Sequence, residues 1–287
     1  MTKSIITTLA LLCAVALINS QPFAASSVLP QKTSVDEIVS KHLDSIGTAA
    51  ARSAANSRVI AGGTQVTFRS RGMAQASGGA VLASDGQMSM VTMKFESSQY
   101  PYEKIGFDGK KVSAYQLPGG DYSSLGGFAR TSPEILKEGL IGGTLSSAWS
   151  LLDVAGRRAK LEFVGRKKVN SRELLVLGYV PRGGSDLSIT LFFDPENFHH
   201  VRTVYQRTIS SQMGRTPEQS PSLSATHYEL VEEFDDFKTE GGLTLPHTYK
   251  IRLGQQGSGT QISEWAMTLV RFVYNQKLEA KDFDVTK

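Results

Sequence analysis

The chain has 287 residues, with 31 Lys+Arg against 27 Asp+Glu and a formal net charge of +4. So small an imbalance, scattered along the chain, gives no sign of a nucleic-acid partner. The only cysteine is Cys13, and it falls in an N-terminal apolar run; the remaining chain has no thiol, which excludes disulfides, cysteine nucleophiles and thiolate metal sites together. Residues 1–25 have the three parts of a cleavable signal: Lys3, the apolar run Ile5 to Ile18, and a polar exit ending in Ala24-Ala25. That run is shorter than the ~20 residues needed to cross a bilayer as a helix. Leu12 occupies the place before Cys13 where lipidation needs a small residue, so the expectation is an exported protein that is not a lipoprotein.

Ser26 to Thr33 is a polar leader opening a single domain over 26–287. Ser34 and Glu37 form a capping box, and Val35, Ile38, Val39, His42, Leu43 and Ile46 recur at helical spacing up to Gly47. His42 lies on the apolar side, where a packed, hydrogen-bonded imidazole is expected. The period then changes to two. A strand surrounds Val66 and Phe68, Gly78-Gly79 and Asp85-Gly86 read as turns, and Gln87 to Phe95 is a strand with Val91, Met93 and Phe95 on one face. Ile105 to Phe107 and Val112 to Leu117 flank the turn Asp108-Gly109.

Ser132-Pro133-Glu134 starts a helix that carries Ile135, Leu136, Leu140 and Ile141 and stops at Gly142-Gly143. A second short helix is expected over Leu145 to Val154, including Trp149. Seven further strands follow: Leu161–Val164, Arg172–Val180, Leu187–Asp194, His200–Ser210, His227–Phe237, Thr248–Leu253 and Ser263–Tyr274. Arg166-Lys167-Lys168 reads as a hairpin turn between the first two, and the polar stretch 211–224 as a mobile loop. The fold class expected is mainly β with a few helices (α+β). A curved antiparallel sheet of about 10–11 strands forms an unclosed half-barrel, with helices over its concave face.

Motifs for chemistry are absent from the sequence: there is no phosphate loop, no G-x-S-x-G and no H-E-x-x-H. His199 and His200 are adjacent and face opposite ways on a strand. The acidic run Glu232, Glu233, Asp235 and Asp236 reads as a solvated strand end. Asp194 and Glu196 flank Pro195 in a turn. No catalytic residue, metal ligand or cofactor is expected.

The segments VDEIVSKHLDSIG, KIGFDGKKVSAY, EGLIGGTLSSAWSLLD, SITLFFDPENFHHVRTVY and HYELVEEFDDFKTEGGLTLPHTYKI, in that order, resemble the periplasmic lipoprotein-carrier superfamily, the LolA/LolB-like fold. The resemblance implies a non-enzymatic binding protein of the cell envelope, a monomer that holds a lipid acyl chain or an acylated protein between sheet and helices, with membrane-bound envelope proteins as further partners. The cavity residues it points to are Val91, Met93, Phe95, Trp149, Phe163, Leu191 and Phe193. The family also uses an inner-strand arginine to hold a helical lid, and no secure alignment assigns that place to Arg69, Arg71 or Arg202. Two other readings stand beside it: an envelope scaffold with a filled core that binds protein, and an extracytoplasmic hydrolase.

Overall fold

The computed structural model describes residues 34–70, 72–210, 225–257 and 259–286. The expected signal segment, the leader up to Thr33 and the loop at 211–224 lie outside the described residues. Ser34 accepts a hydrogen bond from the Glu37 amide at 3.1 Å and caps helix α1 (Val35–Ile46), which buries Ile38, His42 and Ile46. A second, six-residue helix, α2 (Ala49–Ala54), leads into the sheet.

Twelve strands follow in one antiparallel meander: β1 (Ser57–Arg69), β2 (Met73–Asp85), β3 (Met88–Phe95), β4 (Tyr102–Phe107), β5 (Val112–Ala114), β6 (Lys160–Val169), β7 (Arg172–Val180), β8 (Ser188–Phe193), β9 (His200–Ile209), β10 (Thr226–Glu240), β11 (Leu243–Gln256) and β12 (Thr260–Tyr274). Their spatial order is β5-β4-β3-β2-β1-β12-β11-β10-β9-β8-β7-β6. The first and last strands pair at the centre, Arg58 opposite Tyr274 and Arg69 opposite Ile262. The sheet does not close, and β5 and β6 are its two edges.

Twelve strands laid flat would be roughly 50 Å wide at the usual inter-strand spacing. Instead, inward residues of all twelve belong to one apolar core or pack against it, so the sheet curls around that core. Two glycines permit the bending. A Cβ on Gly62, beside the register shift in β1, would lie 1.9 Å from the Thr268 carbonyl oxygen, and one on Gly78 would lie 1.8 Å from that of Lys94. Gly78-Gly79 is therefore the middle of a 13-residue strand rather than the turn its sequence suggests. Arg166-Lys167-Lys168 likewise belongs to β6, and the turn is Asn170-Ser171.

Residues 115–159 connect one edge of the sheet to the other across the concave side, and this strap fills it. It contains α3 (Ser124–Thr131), α4 (Glu134–Lys137), 3-10 turns at Gly143–Leu145 and Ser150–Asp153, and α5 (Val154–Arg157). The helix expected over Leu145 to Val154 is thus broken: Ser146 and Trp149 are extended, with ψ of 138° and 122°. Among the described residues no helix is long and apolar enough to cross a membrane.

Candidate functional site

Directly opposed residues on neighbouring strands share a sheet face, so the registers give the concave floor row by row. Ile60, Leu82, Val91 and Ile105 form an apolar row across β1 to β4. One step along the strands, Arg58, Ser84 and Ser89 form a polar row on the same face. Toward the other edge, Leu177, Leu191, Thr203, Glu232, Ile251, Trp265 and Val66 run across β7 to β1. Two charged side chains of these rows, Arg58 and Glu232, are therefore set into a largely apolar floor, 2% and 0% exposed.

Both reach up to the strap. Broken helical turns leave backbone amides and carbonyls without intrahelical partners, and floor side chains supply the partners. The Arg58 guanidinium donates through Nη1 to the carbonyls of Thr144 (2.5 Å) and Ser146 (3.3 Å). Glu232 Oε1 accepts from the Gly142 amide at 2.7 Å, and its carboxylate also accepts from Tyr205 Oη at 2.6 Å and Tyr249 Oη at 2.5 Å. The Ser84 hydroxyl accepts from the Ser147 amide at 2.8 Å. A second buried carboxylate, Glu103 on β4, accepts from Tyr100 Oη and, at 2.6 Å, from the hydroxyl of Ser123, the N-cap of α3. Burial is the main cause that pushes both carboxyls up to about 7, against the lowering effect of those donors.

The far end of the strap meets an aromatic cluster. Trp149 Nε1–H donates to His42 Nε2 at 3.0 Å and the indole stacks on His200, centroids 4.7 Å apart. The other His42 nitrogen, Nδ1, lies 3.0 Å from the Phe198 carbonyl oxygen, which fixes it as the protonated one. Burial pushes His42 down to about 4 and also lowers His200, so both rings are neutral.

The seam between strap and floor is polar but incompletely bonded. Arg58 Nε and the hydroxyls of Ser89, Thr144, Ser147 and Ser150 are buried without a protein hydrogen-bond partner. Between Leu82, Val91, Ile141 and Leu145 the seam encloses a space of only about 10 Å³. That is room for one water at most, so at this place the strap and the floor are in close contact.

The residues expected to line a cavity fall at two places on this floor. Val91, Met93 and Phe95 lie on β3, are 3%, 0% and 4% exposed, and flank the strap and Tyr100. Leu191 and Phe193 lie on β8, and Phe193 joins Trp149 around His42, ring centroids 5.0 Å from it. Phe163, on edge strand β6, is half-buried against the same core. Glu232 corrects the solvated acidic end: Leu230, Glu232 and Phe234 alternate inward, while Glu233 turns outward to Arg202. Arg202 is thereby excluded as a lid holder, Arg69 ends β1 in solvent, and Arg71 lies outside the described residues. The inner-strand arginine that bonds the strap is Arg58. The signal for it was readable, since Arg58 and Ile60 share strand parity. Among the described residues no group of three or more His, Cys, Asp or Glu is placed to hold a metal ion.

No family model and no curated protein matches the chain. Solved structures do. A LolA superfamily protein from Nitrosomonas europaea matches at TM-score 0.47 and 14% identity, over 88% of this chain and 97% of that one. A DUF1329 family protein from Desulfovibrio piger matches at TM-score 0.47 and 10% identity, over 88% and 97%. A putative outer membrane lipoprotein-sorting protein domain from Vibrio parahaemolyticus matches at TM-score 0.42 and 11% identity, over 86% and 95%. The chain itself is an unclosed antiparallel sheet with helices on its concave side.

Proposed function

We propose that this chain is an exported, non-enzymatic binding protein that takes up an acyl chain, of a lipid or of an acylated protein, between the strap and the concave floor. One observation carries the reading: an apolar floor is covered by a strap of broken helix whose backbone is pinned by single side chains from the sheet, Arg58, Ser84 and Glu232. Release of the strap would exchange these polar bonds and also uncover its own buried side chains, Leu136, Leu140, Ile141, Leu145 and Trp149 among them, so an incoming chain has to replace their contacts with the floor. Each methylene that moves from water to the floor contributes about 0.8 kcal/mol, so a chain of a dozen or more offsets about 10 kcal/mol of that exposure. Val91, Met93, Phe95, Trp149, Phe163, Leu191 and Phe193 are the surfaces it would meet.

The filled seam favours a second reading, an envelope scaffold that binds protein partners and never opens. Native mass spectrometry of the protein purified from the periplasm of a producing bacterium, followed by solvent extraction, separates the two. A stoichiometric extractable acyl species supports the carrier. A clean apo mass with no uptake of added fatty acid or lipopeptide sinks it and leaves the scaffold.

A further inference from the structure

Arg58 holds more charge than its partners answer. Its guanidinium is fully buried, yet none of the ion pairs among the described residues involves it. Its two hydrogen bonds go to neutral carbonyls of the strap, and its Nε–H has no protein partner. Isolated buried cations are strongly disfavoured unless an anion compensates them. The surroundings are equally open to a new acceptor or donor. Ser89 shares the polar row, Thr144 and Ser147 lie directly above it, and all three hydroxyls are buried and unpartnered. Glu232 makes no ion pair with it and has three donors of its own. One step along the strands the floor becomes apolar, with Ile60, Leu82, Val91 and Ile105 in a row.

We propose that the row Arg58-Ser84-Ser89 receives the acidic head group, carboxylate or phosphate monoester or diester, of a single-chain amphiphile whose acyl tail lies along the apolar rows. The inference rests on the carrier reading above and names its ligand class. On binding, the head group replaces the Thr144 and Ser146 carbonyls at the guanidinium, so ligand entry and strap release are one exchange. A planar, bidentate donor such as Arg suits a carboxylate or phosphate, and a neutral ester or alcohol offers it no charge.

The test is equilibrium binding of the purified protein to four probes with the same tail, each below its micelle concentration: palmitate, lysophosphatidylglycerol, monopalmitin and hexadecanol. The wild-type protein is expected to prefer at least one anionic probe over both neutral ones by about ten- to a hundredfold, the range of a hydrogen bond to a charged group. Whichever anion wins identifies carboxylate or phosphate as the source. Arg58→Met is expected to bring the ratio to within about twofold, with affinity for the neutral probes equal or higher. Arg58→Lys, which retains a point charge, is expected to keep an intermediate preference. Equal wild-type affinity for all four probes overturns the head-group assignment and leaves the carrier standing. So does an anion preference that survives in Arg58→Met. Failure of every probe to bind removes the carrier reading and this inference with it. The wild-type ratio decides the matter without any variant, should Arg58→Met not fold.

Discussion

Replacing Glu232 by Gln tests whether the carboxyl under the strap is held near 7 by burial. The unfolded chain releases this proton near 4.5 and the folded protein near 7. Between those values the native state binds more protons than the unfolded one, so stability from this group is greatest at low pH and is lost as pH rises through 7. From pH 5 to pH 8.5 the loss is roughly 2.5 kcal/mol, taking 1.36 kcal/mol per pH unit over the part of the window in which the two states differ. Gln cannot ionise, so Glu232→Gln lacks this dependence, while every other titrating group is common to both proteins. The measurement is urea unfolding of both at pH 5 and pH 8.5, comparing midpoints at constant m. The stability difference, variant minus wild type, should rise by roughly 2.5 kcal/mol toward alkaline pH. At pH 5 the variant should be the less stable, since the amide cannot match every donor now bonded by Gly142, Tyr205 and Tyr249. A difference that stays constant with pH, or moves the other way, would refute the burial argument.

His42 and His200 oppose the two carboxyls, because a folded-state value below 6.5 makes stability fall as pH drops through 6.5. The double variant Glu103→Gln with Glu232→Gln should therefore lose stability from pH 6.5 to 4.5 more steeply than the wild type; parallel profiles would contradict this. Trp149→Phe leaves His42 Nε2 buried without its donor and should destabilise by about 1–3 kcal/mol, and a change under 0.5 kcal/mol in urea titration would count against the bond. Gly78→Ala places a Cβ against the Lys94 carbonyl and should lower stability by about 2 kcal/mol, roughly 4–8 °C in Tm. Gly79→Ala is the control: its nearest neighbour would lie 3.8 Å away, and Tm should move little by comparison.

Local signals were legible wherever local chemistry decides the structure. The Ser34 cap marks α1, although the Glu37 side chain pairs with Lys41 instead of completing the box, and Asp108-Gly109 marks the turn between β4 and β5, because each acts within a few residues. What failed did so where a distant neighbour decides. The run around Gly78 looks like a turn because nothing in sequence reveals the Lys94 carbonyl that forbids a side chain there. Helix α3, with the sequence SLGGFART, contains two glycines and has no clear helical period; its helical form is fixed by the Ser123 cap and burial of Leu125 and Phe128. On the floor, the shared inward face of Val91, Met93 and Phe95 follows from alternation. Glu232 was hidden by its acidic neighbours, since its three donors come from β9, β11 and the strap and only the register brings them together.

The pairing of β1 with β12 has a consequence for how this protein is made. Residues opposed across that central ladder, such as Arg58 and Tyr274, are separated by nearly the whole described chain. Strands β1 to β5 and β6 to β11 can each assemble as local hairpins soon after they emerge. The two halves fuse into one sheet only when the last strand arrives and fits between β1 and β11. Ladders of such long sequence separation form slowly. Until then β1 and β11 present bare edges, the kind of surface on which chains aggregate. A copy truncated before Thr260 keeps both edges permanently, so loss of a single terminal strand should abolish the sheet as a whole rather than trim it.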